Sequence, residues 1–283
     1  MDSIKFKILL FKIIPKSFLS RIFGVIALCP LPSPVMKAVI KWYCKKFAAN
    51  IEEAVIPEKG FRNLNEFFTR KLKEGVRPID NQKNSVVATT DSRVDQFGDI
   101  TEDKILQAKG INYSVRDLIP SIKSEKFIGG KFITLYLSPG DYHRIHSPVD
   151  GKITGFYKIP GKLFSVQDFM VKNLPDLFAI NERLITYIST PVGEVAVCKI
   201  GAMNVGKISL SYDNAVTNRA FDSKEEKIYG KDEYKPIKKG DEIGIFNLGS
   251  TVIILFEKNM IKFEDLPIGS KVKMGEKIAT MVK

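Results

Sequence analysis

The amino-acid sequence predicts an α+β protein, in which a helical N-terminal region precedes a mostly antiparallel, β-rich domain. Up to about residue 80, apolar residues recur at helical spacing and the apolar runs end at prolines. From about residue 85, short β-branched runs alternate with Gly, Pro and Asp, which is typical of antiparallel strands joined by turns. A hydrophobic content of 44% over 283 residues excludes a disordered chain and is enough for a sizeable core. We therefore expect a helical region over residues 1–80 and a β-rich domain over residues 81–283.

The helical region is predicted to contain three helical stretches. Residues 3–28 are apolar and are interrupted at Pro15, and residues 33–49 follow a proline-rich stretch. Residues 62–73 form a shorter helix that Gly75 ends. The apolar face of this third helix consists of Leu64, Phe67, Phe68 and Leu72.

The β-rich domain is predicted from short apolar runs bounded by turn residues. The expected strands are residues 85–89, 131–137, 152–159, 184–190, 193–200, 205–212, 241–246, 251–256 and 271–282. One helical insert is expected at residues 165–173. No repeat or low-complexity tract interrupts this pattern.

The positive charge of the chain is concentrated at its N-terminus. The formal net charge is +12, and residues 1–50 carry nine Lys and Arg against one Asp. Basic residues interrupt the apolar runs too often for a membrane-spanning helix, and no small-residue cleavage site of a signal peptide follows. Two interpretations remain open: helices that lie in the interface of an anionic membrane, and an amphipathic cap packed on the domain. Nucleic acid is disfavoured, because no binding motif is present and Lys greatly outnumbers Arg.

The cysteine and histidine content argues against a metal centre or a disulfide framework. The three cysteines, Cys29, Cys44 and Cys198, are scattered, and no CxxC motif occurs. The chain has only two histidines, so a metal site would have to consist mainly of carboxylates. We expect no metal and a reducing compartment.

Both histidines lie in one segment that is bounded by Pro and Gly. His143 and His146 occur in the sequence Asp141-Tyr142-His143-Arg144-Ile145-His146-Ser147-Pro148, directly after a predicted strand. Histidine is the side chain best suited to proton transfer near neutral pH, so the pair is a candidate for acid–base chemistry. The alternative is a pair of ordinary turn histidines.

A second candidate is the turn at Gly249 and Ser250, between two strongly apolar strands. The Ser250 hydroxyl could attack the carbonyl of Gly249, since glycine eases the backbone distortion that such an attack needs. A nearby base would activate the hydroxyl. An ordinary hairpin turn explains the same residues, and the Gly-x-Ser-x-Gly motif of hydrolases is absent.

A third candidate is Asp91, which follows a predicted strand and could orient a histidine. Taken alone, it also fits a turn aspartate.

These motifs together resemble phosphatidylserine decarboxylase of the prokaryotic type. The resemblance rests on Leu248-Gly249-Ser250-Thr251, on the histidine motif and on Asp91, and it extends from about residue 60 to the C-terminus. Further matching blocks are Phe67–Leu72, Arg77–Asp80, Leu163–Val166, Asn181–Arg183 and Gly201–Gly206. One departure is Ser92, where the family usually has glycine after the aspartate.

The resemblance implies a proenzyme that cleaves itself between Gly249 and Ser250 into a β chain, 1–249, and an α chain, 250–283. Ser250 would become a covalent pyruvoyl group, which replaces pyridoxal phosphate and forms a Schiff base with phosphatidylserine. His146 would activate Ser250, Asp91 would orient His146, and His143 would assist decarboxylation. The products would be phosphatidylethanolamine and carbon dioxide.

The implied partners are phosphatidylserine in an anionic membrane and the two chains as a heterodimer, with a higher homo-oligomer left open. The basic N-terminal region then becomes a membrane-docking region, and the expected location is the cytoplasmic face of the cell membrane, as a peripheral protein. No nucleic-acid partner is expected.

Two other classes of protein compete with this interpretation. One is a Ser-His-Asp hydrolase. The other is a non-catalytic, membrane-associated carrier-like β module, since residues 148–153 and 272–279 resemble turns of lipoyl- or biotinyl-type domains. Pyruvoyl decarboxylases of soluble amino acids share the chemistry but not this set of motifs.

Overall fold

A computed structural model describes residues 16–203, 207–219, 222–247 and 250–282, without the side chains of 16–21 and 250. The helices are α1 Lys16–Leu28, α2 Ser33–Phe47, α3 Leu64–Phe68, α4 Val115–Leu118, α5 Asp168–Val171 and α6 Leu177–Ile180, with 3-10 turns at Ile122–Phe127 and Lys231–Glu233. The first eight strands are β1 Ser85–Val87, β2 Ser92–Asp99, β3 Lys104–Ala108, β4 Ile111–Ser114, β5 Lys131–Leu137, β6 Arg144–His146, β7 Gly151–Ile159 and β8 Arg183–Thr190. The others are β9 Gly193–Ile200, β10 Ile208–Leu210, β11 Glu225–Ile228, β12 Lys235–Ile237, β13 Glu242–Phe246, β14 Ser250–Phe256, β15 Ile261–Phe263, β16 Lys271–Val272 and β17 Lys277–Met281.

The largest sheet in the described part of the chain is antiparallel and has nine strands. Its order is β11-β7-β8-β9-β14-β5-β2-β16, and β12 pairs with β7 as well. Strand β14 lies in the middle, between β9 and β5, and residues 251–256 are all buried. An apolar run without polar alternation forms such a strand because both of its faces are covered by protein.

A smaller sheet, β10-β13-β6, packs on one face of the large sheet. The contact is visible at Gly244 of β13, where a Cβ atom would lie 3.4 Å from Cδ of Lys199 on β9. Most buried apolar residues of the β-rich part belong to one continuous hydrophobic cluster, which includes residues of both sheets. The remaining strands form the β1-β17-β15 sheet and the β3-β4 hairpin.

The helical region packs on the loop between β5 and β6. Its own small core contains Met36, Ile40, Tyr43, Phe67 and Phe68. The Tyr43 hydroxyl donates to the Pro139 carbonyl at 2.9 Å, and Nη2 of Arg70 donates to the Gly140 carbonyl at 2.9 Å. A Cβ atom on Gly140 would lie 2.1 Å from the Phe47 carbonyl oxygen, so this contact requires glycine. None of the described helices is long and apolar enough to cross a membrane.

The predicted α+β class, with mostly antiparallel strands, is confirmed, but several element boundaries were wrong. The predicted helix 62–73 is only α3, because Asn63 caps it and Leu72 forms a β bridge with Ala54. The predicted strand 271–282 is two strands, β16 and β17, separated by a turn at Gly275, whose φ is 90°. Part of the predicted helix 3–28 lies outside the described residues, as do parts of the predicted strand 205–212 and the Gly249 backbone.

We predict that Gly140→Ala lowers stability, because its new methyl group would overlap the Phe47 carbonyl and force α2 away from the loop. The expected loss is about 1–3 kcal/mol, measured by urea unfolding. Gly230→Ala is the matched control, since Gly230 has an ordinary φ of −63° and a Cβ there would make only a van der Waals contact of 3.7 Å with Oε2 of Glu233. Equal stability of the two variants would contradict the contact.

Candidate active site

The histidine segment, residues 138–146, and the start of β14 are held together by backbone pairing at both ends. Ser250 pairs with Leu137, the last residue of β5. Four residues earlier in the chain, the Phe246 N–H donates to the His143 carbonyl at 3.0 Å. Ser250 thus lies beside the last residue of β5, and His143 lies beside the last residue of β13. The fold therefore brings His143 and position 250 to the same end of the sheets.

His143 is completely buried and neutral. Its Nδ1 donates to the Asp141 carbonyl at 2.8 Å, and its ring lies on Phe68 with centroids 4.0 Å apart. Burial lowers the pKa of His143 to about 3, and the nearby Arg70 adds to this effect. Since Nδ1 carries the proton, Nε2 has a free lone pair, and it has no hydrogen-bond partner among the described residues.

His146 is also buried, and its ring is fixed by two contacts. Nδ1 donates to the Gly240 carbonyl at 2.7 Å, so Nε2 is the acceptor of the Tyr142 hydroxyl at 3.0 Å. The Tyr142 and His146 rings stack with centroids 5.6 Å apart. Burial lowers the pKa of His146, while the Gly240 carbonyl opposes this shift. His146 is therefore a neutral proton acceptor at Nε2.

Asp91 is held by Arg77. The guanidinium donates to both carboxylate oxygens, from Nε at 2.8 Å and from Nη2 at 2.6 Å, and the Met274 N–H donates at 2.9 Å. Nη2 of Arg77 also reaches Glu53 at 2.6 Å, and these contacts raise the pKa of Arg77. The side chains of Asp91 and His146 thus bond to different partners.

The segment before Asp91 is nevertheless bound to the histidine segment. The His146 N–H donates to the Thr89 carbonyl at 2.8 Å, and the Thr90 hydroxyl donates to the Tyr142 carbonyl at 2.6 Å. Asp91 and Tyr142 line one cleft of about 270 Å³ together with Arg70, Arg77 and Lys271. Burial is the main cause of the raised pKa of Tyr142, and the negative charges of Glu242 and Asp91 add to it. Asp91 and the tyrosine that contacts His146 therefore line the same cleft.

Sequence reasoning assigned no role to Arg77 or Tyr142. Arg77 lies in the block Arg77–Asp80, and Tyr142 lies in the histidine motif, directly before His143. Their presence in these blocks was the only indication in the sequence that they could be functional. Their contacts join residues far apart in the chain, which sequence spacing does not reveal.

The residues fit a carbonyl group formed at position 250. The orphan Nε2 of His143 is a buried polar atom in the segment that follows Leu137, the backbone partner of Ser250. Among the described residues, no group of three or more His, Cys, Asp or Glu could hold a metal ion.

Comparisons with known proteins support the motif analysis. A family model described as phosphatidylserine decarboxylase matches residues 64–280. A phosphatidylserine decarboxylase proenzyme of Myxococcus xanthus is 40% identical over 274 residues, covering 96% of this chain and 97% of the relative. Proenzymes of the same name from Alteromonas mediterranea and Brevibacillus brevis are each 39% identical, covering 94% of this chain and 83% and 95% of those relatives.

These matches show that the chain is an enzyme of the carboxy-lyase class. Within that class it belongs to the phosphatidylserine decarboxylase family.

We predict that the buried neutral state of His143 makes the protein less stable in acid. In the folded chain the pKa of His143 is about 3, whereas an ordinary, exposed histidine has a pKa of 6.5. Below pH 6.5 the unfolded chain therefore binds a proton at this residue that the folded chain does not bind. Stability should therefore fall by up to about 1.4 kcal/mol per pH unit for this one group. Urea unfolding of Ser250→Ala between pH 7 and pH 5 measures the slope, and adding His143→Asn should reduce it. An unchanged slope would mean that His143 is protonated in the folded chain.

Proposed function

We propose that this chain is a proenzyme that cleaves itself between Gly249 and Ser250 and then converts phosphatidylserine to phosphatidylethanolamine and carbon dioxide. The observation that carries the proposal is the family membership, combined with the pairing of Ser250 and Leu137 beside the histidine segment. The names of the relatives support both parts, since each is called a proenzyme and a decarboxylase.

For self-cleavage, we assign Ser250 as the nucleophile and Gly249 as the attacked carbonyl. His146 is the base, because its Nε2 carries a lone pair that accepts the Tyr142 hydroxyl. We place the influence of Asp91 on His146 through Tyr142, since both Asp91 and Tyr142 line the cleft. Arg77 holds the carboxylate in that orientation.

For decarboxylation, the pyruvoyl group formed from Ser250 would supply a carbonyl that condenses with the substrate amine and accepts the electron pair released with carbon dioxide. The reaction consumes one proton, which has to reach the α-carbon of the substrate. We assign this transfer to Nε2 of His143, the buried ring nitrogen with no partner among the described residues. Because Nε2 is unprotonated, it would first take up a proton from solvent and then deliver that proton to the α-carbon, which returns the ring to its neutral state.

The two chains are expected to remain together as a heterodimer after cleavage. The α chain, 250–283, contains β14, which lies between β9 and β5 of the β chain. The same α chain contributes β16 and β17, which pair with β2 and β1. Cleavage of one peptide bond leaves these pairings and their buried area unchanged.

We further propose that the helical region docks on the cytoplasmic face of the cell membrane. Helices α1 and α2 and their connection expose an apolar set, namely Ile22, Val25, Ile26, Leu28, Leu31, Val35 and Trp42. Lys46 lies over the Trp42 ring at 4.8 Å, which places a cation beside this apolar surface. Apolar side chains bordered by lysine favour an anionic lipid interface.

The cleavage assignment is tested by the chain pattern on a denaturing gel and by intact mass. The unaltered protein should give two chains, the smaller beginning at residue 250. Ser250→Ala should give one inactive chain of full length, since the nucleophile is lost, and His146→Ala should also remain uncleaved. His143→Ala should be cleaved but should decarboxylate phosphatidylserine about 100-fold more slowly. Two chains from Ser250→Ala would refute the assignment.

The docking proposal is tested by sedimentation with phosphatidylserine vesicles. Val25→Glu with Ile26→Glu should weaken binding at least about tenfold, because two carboxylates would be forced into the anionic interface. Ile122→Glu is the matched control: Ile122 is exposed but lies outside the helical region, so binding should persist. Equal binding of both variants and the unaltered protein would exclude this surface.

A further inference from the structure

Phe68 of helix α3 packs against the His143 ring. The two ring centroids lie 4.0 Å apart at an interplanar angle of 43°, and neither side chain is more than 1% exposed. A bulky neighbour at this distance restricts the rotation of a buried ring, because protein interiors are closely packed. The helical region thus reaches the residue to which the proposed function assigns proton delivery.

Arg70, which follows α3, holds the backbone beside the same ring. Its Nη2 donates to the Gly140 carbonyl at 2.9 Å and to the Asp141 carbonyl at 3.4 Å. The Asp141 carbonyl is also the acceptor of Nδ1 of His143, at 2.8 Å. One carbonyl oxygen therefore accepts hydrogen bonds from both Arg70 and His143. Because the bond from His143 keeps its ring proton on Nδ1, Arg70 fixes the acceptor that determines the tautomer.

The burial of Arg70 is unfavourable in itself. The side chain is 4% exposed, and burial lowers the pKa of its guanidinium. Within the described part of the chain it pairs with no carboxylate, and its Nε has no hydrogen-bond partner. An unpaired buried cation destabilises a folded chain. Apart from a 3.5 Å contact with the Phe67 carbonyl, the hydrogen bonds of Arg70 go to the histidine segment. Fixing this segment is therefore the role that its contacts indicate.

The His143 ring depends on these contacts because it has few others. Its backbone is fixed by the Phe246 N–H, which donates to the His143 carbonyl at 3.0 Å. Its Nε2, however, has no hydrogen-bond partner among the residues that the structure describes. A ring with a single hydrogen bond can rotate or exchange its tautomer unless packing opposes this. Phe68 supplies the packing, and Arg70 fixes the acceptor of the single hydrogen bond.

We propose that Phe68 and Arg70 are positioning residues for decarboxylation, which hold the His143 ring with its proton on Nδ1 and its Nε2 directed at the substrate. This inference rests on the proposed function, in which His143 delivers a proton to the substrate. The helical region then has a second role beside membrane docking, since it completes the active site. The His146 ring bonds to Gly240 and Tyr142 instead, so self-cleavage should not depend on the two positioning residues.

The first test compares Phe68→Leu and Arg70→Gln with the unaltered protein. Both variants should still give two chains, the smaller beginning at residue 250. Decarboxylation is measured with a short-chain, water-soluble phosphatidylserine, so that membrane docking does not affect the rate. In each variant kcat should fall about tenfold, while KM should change less than about twofold, because proton delivery is impaired and substrate binding is not. Arg70→Lys, which retains a donor and the charge, should recover part of the lost rate.

A double-mutant cycle shows whether both residues act through the His143 ring. His143→Asn should itself decarboxylate slowly. Adding Phe68→Leu or Arg70→Gln to His143→Asn should cause no further loss of kcat, because the ring that these residues position is already absent. A merely structural role would lower kcat by the same factor with and without the ring.

Two matched controls identify such a structural role. Phe61→Leu alters another aromatic ring of the same small core, which packs on Phe67 with centroids 5.6 Å apart. Arg183→Gln alters another arginine, 3% exposed, that donates to the backbone carbonyls of Leu118, Asn181 and Asp117. Any loss of kcat in these controls should be the same factor with His143 present and with His143→Asn.

Nitrogen NMR of histidine-labelled, processed protein provides a readout that does not depend on activity. The chain has only two histidines, and the ring signals that disappear in His143→Asn belong to His143. In the unaltered protein at pH 7, Nδ1 of His143 should carry the proton and Nε2 should carry none. In Phe68→Leu and Arg70→Gln, the His143 signals should show both tautomers, whereas the His146 signals should be unchanged.

Four outcomes would overturn the proposal. They are an unaltered kcat in both variants, a loss that multiplies with that of His143→Asn, a single unaltered His143 tautomer in both variants, and a variant that is not cleaved, which would assign that residue to maturation. The proposed function would fail in a different way, through an unaltered protein that does not split before residue 250 or through full kcat in His143→Asn.

Discussion

The antiparallel pairing of β14 with β5 and β9 is the constraint on which the candidate site depends. It fixes Ser250 opposite Leu137, at the point where the chain enters the histidine segment. Because β14 is buried on both faces, a slip of one residue would exchange its side chains between two closely packed faces, so packing opposes such a slip.

Burial determines the proton chemistry that the histidines can perform. Both rings donate from Nδ1 to a backbone carbonyl, and both have lowered pKa values. Each therefore presents an unprotonated Nε2, but the environments differ: a tyrosine hydroxyl contacts His146, and no described group contacts Nε2 of His143. This difference is consistent with a role in maturation for His146 and a role with substrate for His143.

The helical region connects the expected lipid surface to the same site. On its inner side, Tyr43 and Arg70 bind the loop before His143, and Glu53 shares Arg77 with Asp91. On its outer side, α1 and α2 expose apolar side chains such as Val25 and Ile26. A lipid that docks on the outer surface is thus one layer of helices away from the histidine segment.

The sequence by itself determined the α+β class and most of the long strands, and it singled out His143, His146 and Ser250 as candidates, because these follow from local patterns and motifs. It did not determine the end of α3 or the break between β16 and β17, which depend on Ala54 and on the turn at Gly275. Only the tertiary structure decided that Asp91 binds Arg77 and that Tyr142 contacts His146. The physical reason is that these partners are brought together by strand register and burial, which join residues distant in the chain and leave no local pattern.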